Sequence, residues 1–375
     1  MFDKNKNKRI ERKAMENFIG IDAGDKINIV CILDKSGKIM VEDSVENNSK
    51  SMIDYFDELD KSSIVLEAGS HSFWISKLLL SLGHDVFICN PRRLKAVTEN
   101  INKSDKEDAR VLAQLLHTGT NLLKPVHLGE LKHLRDLLLI KSRGALVKSR
   151  TSMINNVRGV VKAFGERIPS SIRADAFHKY AASHLSEEIR SNVQPLIIAI
   201  GQITLGIKKY NQKIEMLIET EYPIANTLRT ITGVGPITSL AFVLIIGKAK
   251  RFQKSRSVGP YLGLTPRRDQ SGNVDKELPI TKAGNSMLRS LLINCANYIL
   301  GPFGPDNQLK RHGEKIKGTG NSKAQKAKAK VAVARKLCVT MHQMMISGKD
   351  FVSIIIDPKI GLNALAQKEN VEELV

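Results

Sequence analysis

Asn17–Leu33 reads NFIGIDAGDKINIVCIL and contains two short apolar runs separated by an Ala-Gly-Asp break. A third run, Lys38–Val45, follows after a Lys-Ser-Gly turn, and two more lie at Ser63–Glu67 and His84–Cys89. Short apolar runs bounded by Gly, Asp and Ser are typical of β-strands. Because the first three runs follow one another through tight turns, they predict an antiparallel meander.

Helical segments separate the later strands. Apolar residues recur at helical spacing over Met52–Leu59, Phe73–Leu82 and Asp105–His117. Antiparallel hairpins followed by alternating strands and helices predict a mixed α/β sheet of about five strands in the first third of the chain.

The charge of the chain is distributed unevenly. Its 375 residues carry 58 Lys and Arg against 38 Asp and Glu, a formal net charge of +20. Residues 1–120 hold 18 basic and 19 acidic side chains, whereas residues 121–375 hold 40 and 19. The excess positive charge therefore belongs to the second two-thirds of the chain, which indicates a polyanionic partner, most simply nucleic acid.

Composition also limits the class of protein. The length predicts two or three domains. No uncharged apolar run reaches about 18 residues, so no membrane-spanning helix is expected. The basic leader has no apolar core of the kind found in secretory signals. Four widely spaced cysteines favour a reducing cytoplasm and argue against a zinc site.

The middle of the chain predicts a helical arm. Apolar residues spaced alternately by four and three form a coiled-coil seam of three heptads, made of Leu196, Ile200, Ile203, Ile207, Tyr210, Ile214 and Leu217. An earlier seven-residue repeat consists of Ile140, Val147, Ile154 and Val161, with Val157 and Phe164 offset by three. Two such helices would pair with each other or with another copy. Lys148, Arg150 and Arg158 are expected outside the earlier stripe, as a polyanion surface or a solvated face.

The last third contains two further signals. Gly233-Val234-Gly235-Pro236 lies between two apolar helical runs, which predicts a helix-turn-helix whose turn amides could hold a phosphate; an ordinary helical hairpin is the alternative. Between Gln308 and Lys336 lie ten Lys or Arg and one acidic residue. Lys326 and Lys330 belong to this segment, which is interpreted as a surface that neutralises a phosphate backbone.

Four carboxylates occupy positions suited to metal binding. Asp22 ends the first strand, Glu67 ends the fourth, and Asp105 and Asp108 lie three residues apart at the start of a helix. If the two strands are neighbours, all four side chains meet at one end of the sheet. Carboxylates are preferred ligands of Mg²⁺, and two such ions would clamp the attacking and leaving oxygens of a phosphodiester displacement.

Each candidate has a purely local alternative. Ser104 and Glu107 would form a capping box, with the neighbouring acids favouring the helix N-terminus. Asp22 would close a turn with Gly24. The composition of Arg267–Asn273 by itself predicts a polar turn, in which a serine such as Ser271 is commonplace.

The motifs, taken in order, resemble the one-ten family of insertion-sequence transposases, also called bridge recombinases. The acidic DEDD tetrad of that family is similar to GID at Gly20–Asp22, LEAG at Leu66–Gly69 and KSDKEDA at Lys103–Ala109. Its transposase domain is similar to ITGVGPITS at Ile231–Ser239, GPYLGLTPRRDQSG at Gly259–Gly272 and ITKAGNSMLRSLL at Ile280–Leu292. The likeness covers nearly the whole chain; relatives usually have EATG where this sequence has Glu67-Ala68-Gly69-Ser70.

The resemblance implies a division into domains. After a basic leader at residues 1–16, an α/β domain of the RNase H-like (RuvC-like) type is expected at 17–125. A helical coiled-coil arm would follow at 126–225, and a mainly α transposase domain at 226–350. Residues 351–375 would form a tail.

The resemblance also implies an active site made in two parts. Asp22, Glu67, Asp105 and Asp108 would bind Mg²⁺, two ions per site, and Ser271 would attack a DNA phosphate to form a transient phosphoserine bond. Because a free hydroxyl is a poor nucleophile, the metal cluster would have to approach it, within or across subunits. The residues expected to contact nucleic acid here are Arg267, Arg268, Lys282, Asn285 and Arg289, of which Arg289 could equally be a solvated helix residue.

By the same resemblance, the partners are donor DNA, target DNA and a guide RNA encoded by the element. The chain is expected to form a homodimer that pairs into a tetramer, in the cytoplasm at the nucleoid. One alternative is a Holliday-junction-type nuclease in which water attacks and Ser271 is structural. Another is a nucleic-acid-binding scaffold without catalysis.

Overall fold

The computed structural model describes residues 17–90, 104–123, 125–126, 129–271, 274–319 and 322–353. The chain divides into two compact units, Met1–Leu128 and Gly129–Val375. The predicted leader at 1–16 and most of the predicted tail lie outside the described residues. In the described part, no helix combines the length and the apolar character needed to cross a membrane.

A five-stranded mixed sheet organises the first unit. Its strands are β1 (Phe18–Ala23), β2 (Ile27–Leu33), β3 (Ile39–Glu46), β4 (Ser63–Glu67) and β5 (Asp85–Cys89). They lie in the order β3-β2-β1-β4-β5, with β1, β2 and β3 antiparallel and β4 parallel to both β1 and β5. The predicted mixed sheet is therefore confirmed, including its opening meander.

Helices cover both faces of this sheet. They are α1 (Ser49–Phe56), α2 (Ser72–Ser81), α3 (Asp105–Thr118) and the short α4 (Thr120–Leu123). Because side chains alternate along a strand, Ile19 and Ile21 of β1 enter one cluster with residues of α1 and α2. Val65 of β4 and Cys89 of β5 enter another with Leu112 of α3. Helix α3 therefore packs on the opposite face of the sheet from α1 and α2, joined there by Leu123 of α4.

The second unit is helical apart from one hairpin. Its helices are α5 (Leu131–Val160), α6 (Phe177–Tyr180), α7 (Glu187–Thr220), α8 (Ile224–Arg229), α9 (Pro236–Ile246), α10 (Val258–Tyr261), α11 (Ser286–Ile299), α12 (Gln308–Lys317) and α13 (Lys323–Ser347). Single 3₁₀ turns lie at Val161–Phe164, Ala182–His184, Ala249–Arg251 and Ser255–Ser257. The hairpin consists of β6 (Pro266–Ser271) and β7 (Val274–Ile280).

Helix α9 forms the centre of the second unit. Its sequence, PITSLAFVLII, is apolar almost all round, so it is surrounded by other helices. The Gly turn that precedes it follows α8, as the sequence predicts. Gly233 has φ 97°, and a Cβ there would lie 2.8 Å from a ring carbon of Tyr298, so this turn requires glycine.

The long helices α5 and α7 pack against each other as an antiparallel hairpin, hereafter the helical hairpin. Lys132 near the start of α5 pairs with Glu221 just beyond α7, and Arg150 in the second half of α5 donates to Thr204 in the middle of α7. At the closed end, Phe177 enters an apolar cluster together with residues of both helices. The helical arm therefore pairs within one chain; supercoiling and pairing with a second copy stay predictions.

Two details of the arm differ from the sequence analysis. Arg150 and Arg158 were expected outside the apolar stripe, but both are partly buried at the helix interface or the closed end. Arg150 lies seven residues before the buried Val157 and therefore shares its face of the helix. Arg158 is held at the closed end by its hydrogen bonds to the carbonyls of Pro169 and Ile172. Lys148 is exposed, as expected.

The segment 266–271 is the other difference. Its composition predicts part of a polar turn, but β6 pairs with β7 in antiparallel register, from Pro266 opposite Ile280 to Ser271 opposite Val274. Only two residues lie between Ser271 and Val274, which is the loop length of a tight β-hairpin. The transposase domain expected to be mainly α therefore contains a strand pair that carries the predicted nucleophile at its tip.

Two buried histidines make stability depend on pH. His84 accepts from the Ser62 amide (3.2 Å) and donates to the Phe56 carbonyl (3.0 Å), and His342 donates to the Ala249 carbonyl (3.0 Å). Burial lowers the pKa of both imidazoles below 6.5. The folded protein therefore resists protonation that the unfolded chain accepts, and stability is lost as pH falls through and below 6.5.

We expect the midpoint of thermal unfolding to change little above pH 7 and to fall steadily from pH 6.5 to 5. Each histidine contributes at most about 1.4 kcal/mol per pH unit. Scanning calorimetry at constant ionic strength measures this, and a double substitution of His84→Gln with His342→Gln should flatten the profile. A double variant that keeps the full acid sensitivity of the parent would contradict this account.

Candidate functional site

Asp22 and Glu67 are brought to the same end of the sheet. Strands β1 and β4 are parallel, and their pairing ends with Ile21 opposite Leu66, so the two acids are the next residues of adjacent strands. Ile21 and Leu66 both enter the cluster on the α1–α2 face. Since side chains alternate, Asp22 and Glu67 belong to the opposite face, where α3 packs.

Electrostatics agree with this placement of Glu67. Its register partner in β5 is Cys89, a fully buried thiol on the α3 face. Burial is the main cause that raises the pKa of Cys89 to about 12, and the negative charge of Glu67 is the second. The Glu67 carboxylate is therefore close enough to this face to act on Cys89.

Gly20 lets the backbone of α3 lie directly on β1. A Cβ at Gly20 would collide with the carbonyl oxygen of Ala109 and lie 2.5 Å from the amide nitrogen of Ala113. At the other end of the contact, Phe18 meets His117 with ring centroids 5.0 Å apart. The helix therefore runs opposite to β1, and its N-terminal turn extends towards the end of the strand where Asp22 lies.

The first turn of α3 brings two acids to this side. Asp105 and Asp108 share a helix face with the buried residues Ala109 and Leu112, which pack on the sheet. Ser104 caps the helix by accepting a hydrogen bond from the amide of residue 107 (3.2 Å). The N-terminal cap that was considered as an alternative to metal binding is therefore present. Capping and metal binding are compatible, because the cap uses the serine oxygen and leaves both Asp carboxylates to other partners.

The third acid of that turn serves a different purpose. Glu107 accepts from Arg110 (2.8 Å), which also donates to Glu42 of β3 (3.0 and 2.8 Å). These ion pairs anchor α3 to the outer strand of the sheet. Glu107 therefore holds the helix in place, and Asp105 and Asp108 are the acids of this turn that the predicted tetrad would use.

A chain of hydrogen bonds in the loops that follow Asp22 and Glu67 was not predicted from the sequence. Trp74 Nε1 donates to His71 Nδ1 (3.2 Å), and His71 Nε2 donates to Asp25 (3.1 Å). His71 lies in the loop after β4 and Asp25 in the turn after β1, so the pair ties together the two loops that follow Asp22 and Glu67. Both imidazole nitrogens are used, so His71 positions these loops rather than acting as a base.

The four carboxylates are not drawn together into a coordination sphere. Across the described ranges, no group of three or more His, Cys, Asp or Glu side chains is close enough to hold a metal ion. The donor set nevertheless has the right chemistry for a hard cation, since it consists only of carboxylates that converge on one end of one sheet face. The residues thus fit a Mg²⁺ site that would tighten around the ion.

Gly20→Ala should disturb both stability and activity. The new methyl group would push α3 away from β1, at a cost of about 1–3 kcal/mol for overpacking, and would move Asp105 and Asp108 out of position. Urea unfolding and a DNA-cleavage assay measure the two effects. Gly69→Ala is the matched control, because a Cβ at Gly69 meets no atom within 4 Å. Equal behaviour of the two variants would refute this role of Gly20.

The second part of the predicted site is the β6–β7 hairpin. Its outer residues Arg267, Arg268 and Asp269 are exposed, and Arg268 lies 3.8 Å from Asp275 across the strand pair. The backbone places Ser271 as the last residue of β6, opposite Val274. The exposed guanidinium groups of Arg267 and Arg268 in the same strand are suited to binding a negatively charged substrate.

Close backbone contacts fix the base of this hairpin. A Cβ at Gly263 would collide with the backbone of Ala283, and Lys282 donates its amide to the Gly263 carbonyl (3.2 Å). Lys282 has φ 54°, the only non-glycine residue with positive φ in the described chain. Strain of this kind persists where the surrounding structure enforces it, and it often marks a functional site. The Lys282 side chain itself is exposed.

The other predicted contacts in this region have structural partners. Arg289 donates to the carbonyls of Leu262 (3.0 Å) and Ala283 (2.8 Å), so it holds the loop at the base of the hairpin. Asn285 caps α11 by accepting from the Leu288 amide (3.0 Å). In α13, Lys326 is exposed and Lys330 is partly buried. That these residues touch nucleic acid stays a prediction.

Two family models match the chain in different regions, the first across the first unit and the start of the second, the other within the second unit. Residues 19–165 match a transposase model of the DEDD type, and residues 225–306 match a model described as the transposase IS116/IS110/IS902 family. Together they cover more than half of the chain. The first match includes all four candidate carboxylates, and the second includes the β6–β7 hairpin.

Curated relatives agree with these matches. The chain is 25% identical to a transposase for insertion sequence element IS1111A from Coxiella burnetii, over 77% of this chain and 80% of the relative. It is 24% identical to a transposase for insertion sequence element IS1328 from Yersinia enterocolitica, over 63% and 70%. It is also 26% identical to a pilin gene-inverting protein from Moraxella lacunata, over 77% and 81%.

Proposed function

Because the chain belongs to the IS116/IS110/IS902 family of transposases, we propose that it cuts and rejoins DNA strands through a phosphoserine intermediate at Ser271. The observation that carries this proposal is the convergence of Asp22, Glu67 and the first turn of α3 on one end of the sheet. Carboxylates are the ligands that a hard cation such as Mg²⁺ prefers, so their placement at one end of the sheet supports a metal-dependent function.

In this proposal the first unit is an RNase H-like (RuvC-like) domain. The strand order β3-β2-β1-β4-β5, with three antiparallel strands followed by two parallel ones, supports this assignment. Asp22, Glu67, Asp105 and Asp108 would hold two Mg²⁺ ions. When bound, such ions stabilise the charge that develops on the phosphate and activate the attacking hydroxyl.

The chain's own groups perform the remaining steps. The Ser271 oxygen loses its proton and forms a bond to phosphorus, while the bond from phosphorus to the leaving DNA oxygen breaks and that oxygen takes up a proton. A hydroxyl of the new DNA strand then reverses the step, forming the joint and releasing Ser271. Each exchange replaces one phosphate ester with another, so the bond energy is retained and no nucleotide cofactor is required.

Arg267 and Arg268 suit the role of holding the scissile phosphate. Both are exposed in β6, a few residues from Ser271, and a guanidinium matches a phosphate in charge and in hydrogen-bond geometry. Lys282 presents a further positive charge from the fixed loop at the base of the hairpin. The proposed contacts further along the chain are Lys326 and Lys330 of α13.

The partners follow from the family and from the charge of the second unit. We include donor and target DNA, a guide RNA encoded by the element, and assembly as a dimer that pairs into a tetramer at the nucleoid. Residues 226–353 carry 22 Lys and Arg against 6 Asp and Glu, which supports a large polyanionic substrate. Inversion of a DNA segment, the activity named for the Moraxella relative, requires the same cutting and rejoining.

Strand exchange on the DNA that flanks this reading frame tests the proposal. Full-length protein is incubated with end-labelled DNA that joins the two element ends and with RNA transcribed from the adjacent non-coding segment, in Mg²⁺ or in EDTA. We expect cut and rejoined strands in Mg²⁺ only, and only with the RNA present. Binding without cleavage under every condition would favour the scaffold alternative, and activity without RNA would remove the guidance step.

A further inference from the structure

The middle of the helical hairpin contains two arginines at positions where a two-helix packing normally has apolar residues. Arg143 and Arg150 are seven residues apart, in register with Val157 of the apolar stripe, and both are partly buried. Arg143 Nε donates to Asn211 of α7 (3.0 Å), and Arg150 donates to Thr204 of α7 (3.3 Å). Two partly buried cations therefore face neutral side chains across the interface.

These arginines use little of their hydrogen-bonding capacity. A guanidinium has five N–H donors, and in the described part of the chain each of the two makes one hydrogen bond. The Nε of Arg150 is buried and lacks a partner there, as does the Nε of Arg158, whose other nitrogens are better satisfied. Burial lowers the pKa of Arg143, and the nearby charge of Arg150 lowers it further. Partly desolvated like charges without an anion are costly to retain.

Arg158 shows what a structural arginine in the same helix looks like. It donates to the carbonyls of Pro169 and Ile172, both at 2.9 Å, and its guanidinium lies 5.4 Å from the centroid of the Phe177 ring. It thus closes the loop at the end of the hairpin with two acceptors and an aromatic face. Arg143 and Arg150, in contrast, each make a single hydrogen bond, to a neutral side chain of α7.

The surroundings of the pair are suited to an anion. No Asp or Glu occurs between Asp136 and Glu166 along α5, or between Glu188 and Glu215 along α7. Exposed lysines lie near the two arginines on both helices, namely Lys141, Lys148, Lys208, Lys209 and Lys213. No acidic residue in the middle of the helical hairpin offsets the repulsion among these positive charges. A bound polyanion would therefore be attracted by all of them.

We propose that Arg143 and Arg150 form a phosphodiester clamp, so that the helical hairpin is a nucleic-acid-binding element as well as a spacer. This inference rests on the proposed function for the presence of DNA and RNA. It goes further by assigning a specific site outside the catalytic residues. The clamp accepts the backbone of a strand, whose phosphates supply the acceptors that Asn211 and Thr204 supply only in part.

The test compares two double variants with the same change in charge. One carries Arg143→Gln and Arg150→Gln; its control carries Lys141→Gln and Lys148→Gln, each two residues earlier on the same helix. Affinity of the full-length protein is measured in EDTA, which excludes strand cutting, across a range of salt. The probes are a random-sequence DNA duplex and an RNA hairpin with the same number of nucleotides.

We expect the arginine variant to lose about tenfold in affinity for at least one probe and to reduce the slope of log affinity against log salt by about 1.8, the value for two phosphate contacts. The probe that is more affected identifies the natural ligand as DNA or RNA. The melting temperature of the arginine variant should equal or exceed that of the parent protein, since two poorly satisfied cations are removed. The lysine control should lose clearly less.

Several results would overturn the clamp. They are equal losses in the arginine and lysine variants, unchanged affinity in the arginine variant, or a halved particle mass by light scattering, which would assign the pair to contact with a second copy. If the arginine variant melts lower, Arg143→Lys with Arg150→Lys decides: a salt slope like the parent's supports the clamp, and a slope like the glutamine variant's refutes it. Strand cutting in Mg²⁺, measured separately, reports on the proposed function.

Discussion

Replacing Asp22 with asparagine is expected to reduce Mg²⁺-dependent strand cleavage by about 1000-fold, because a metal ion contributes several kcal/mol of charge stabilisation and each 1.4 kcal/mol changes a rate tenfold. Asp108→Asn should have the same effect from the other element of the site. The amide keeps the shape of the side chain and removes the ligand charge, so affinity for DNA should stay within about threefold of the parent.

Metal binding itself can be followed without catalysis. Trp74 is the only tryptophan of the chain, and its indole is hydrogen-bonded to His71 in the loop after β4. Mn²⁺, a paramagnetic substitute for Mg²⁺, should quench its fluorescence in the parent protein. The quenching should be weakened in Asp22→Asn and in Asp108→Asn.

Matched controls separate the loss of a metal ligand from a general loss of negative charge. Asp25→Asn changes an acid three residues after Asp22 whose side chain is 94% exposed, and Glu107→Gln changes the acid next to Asp108 that pairs with Arg110. Both should retain substantial cleavage. Full activity in Asp22→Asn or Asp108→Asn would show that the assignment of the metal ligands is wrong.

Ser271→Ala should abolish both the covalent protein–DNA adduct and strand cleavage, while leaving DNA affinity unchanged. Loss of a covalent nucleophile removes the proposed route altogether, so we expect a reduction of on the order of 1000-fold or more. The adduct is detected by denaturing electrophoresis after incubation with labelled DNA and Mg²⁺.

Gln270→Ala is the control for this substitution. It alters the preceding, exposed residue of the same strand and should leave the adduct intact. If Ser271→Ala cuts DNA as well as the parent and neither protein forms an adduct, water is the nucleophile. The Holliday-junction-type nuclease would then be the correct alternative.

Local signals made the N-terminal sheet predictable. Apolar runs bounded by Gly, Asp and Ser identify each strand, and the predicted bounds differ from the observed ones by at most one residue. What the sequence could not reveal is the direct contact of α3 with β1. That contact depends on the missing side chain of Gly20, and it directs the first turn of α3 towards the end of β1 where Asp22 lies.

The second unit was harder to predict, for two physical reasons. Strand β6 reads PRRDQS and has no apolar alternation, because an exposed two-stranded hairpin has no buried face. In the helical hairpin, Arg150 was predicted to lie outside the apolar stripe, because the repeat position that it occupies is one where an apolar residue is expected. Only the register of Arg143 and Arg150 with Val157 could have indicated that they face α7.

The central claim is that the hydroxyl of Ser271 reacts with DNA under the control of the acids of the first unit. Peptide mapping of the denatured adduct by mass spectrometry tests it most directly. We predict a nucleotide mass on the peptide that contains Ser271 in the parent protein with Mg²⁺, and none in Asp22→Asn. DNA cutting without any protein-linked nucleotide, or a nucleotide linked to another residue, would contradict the claim.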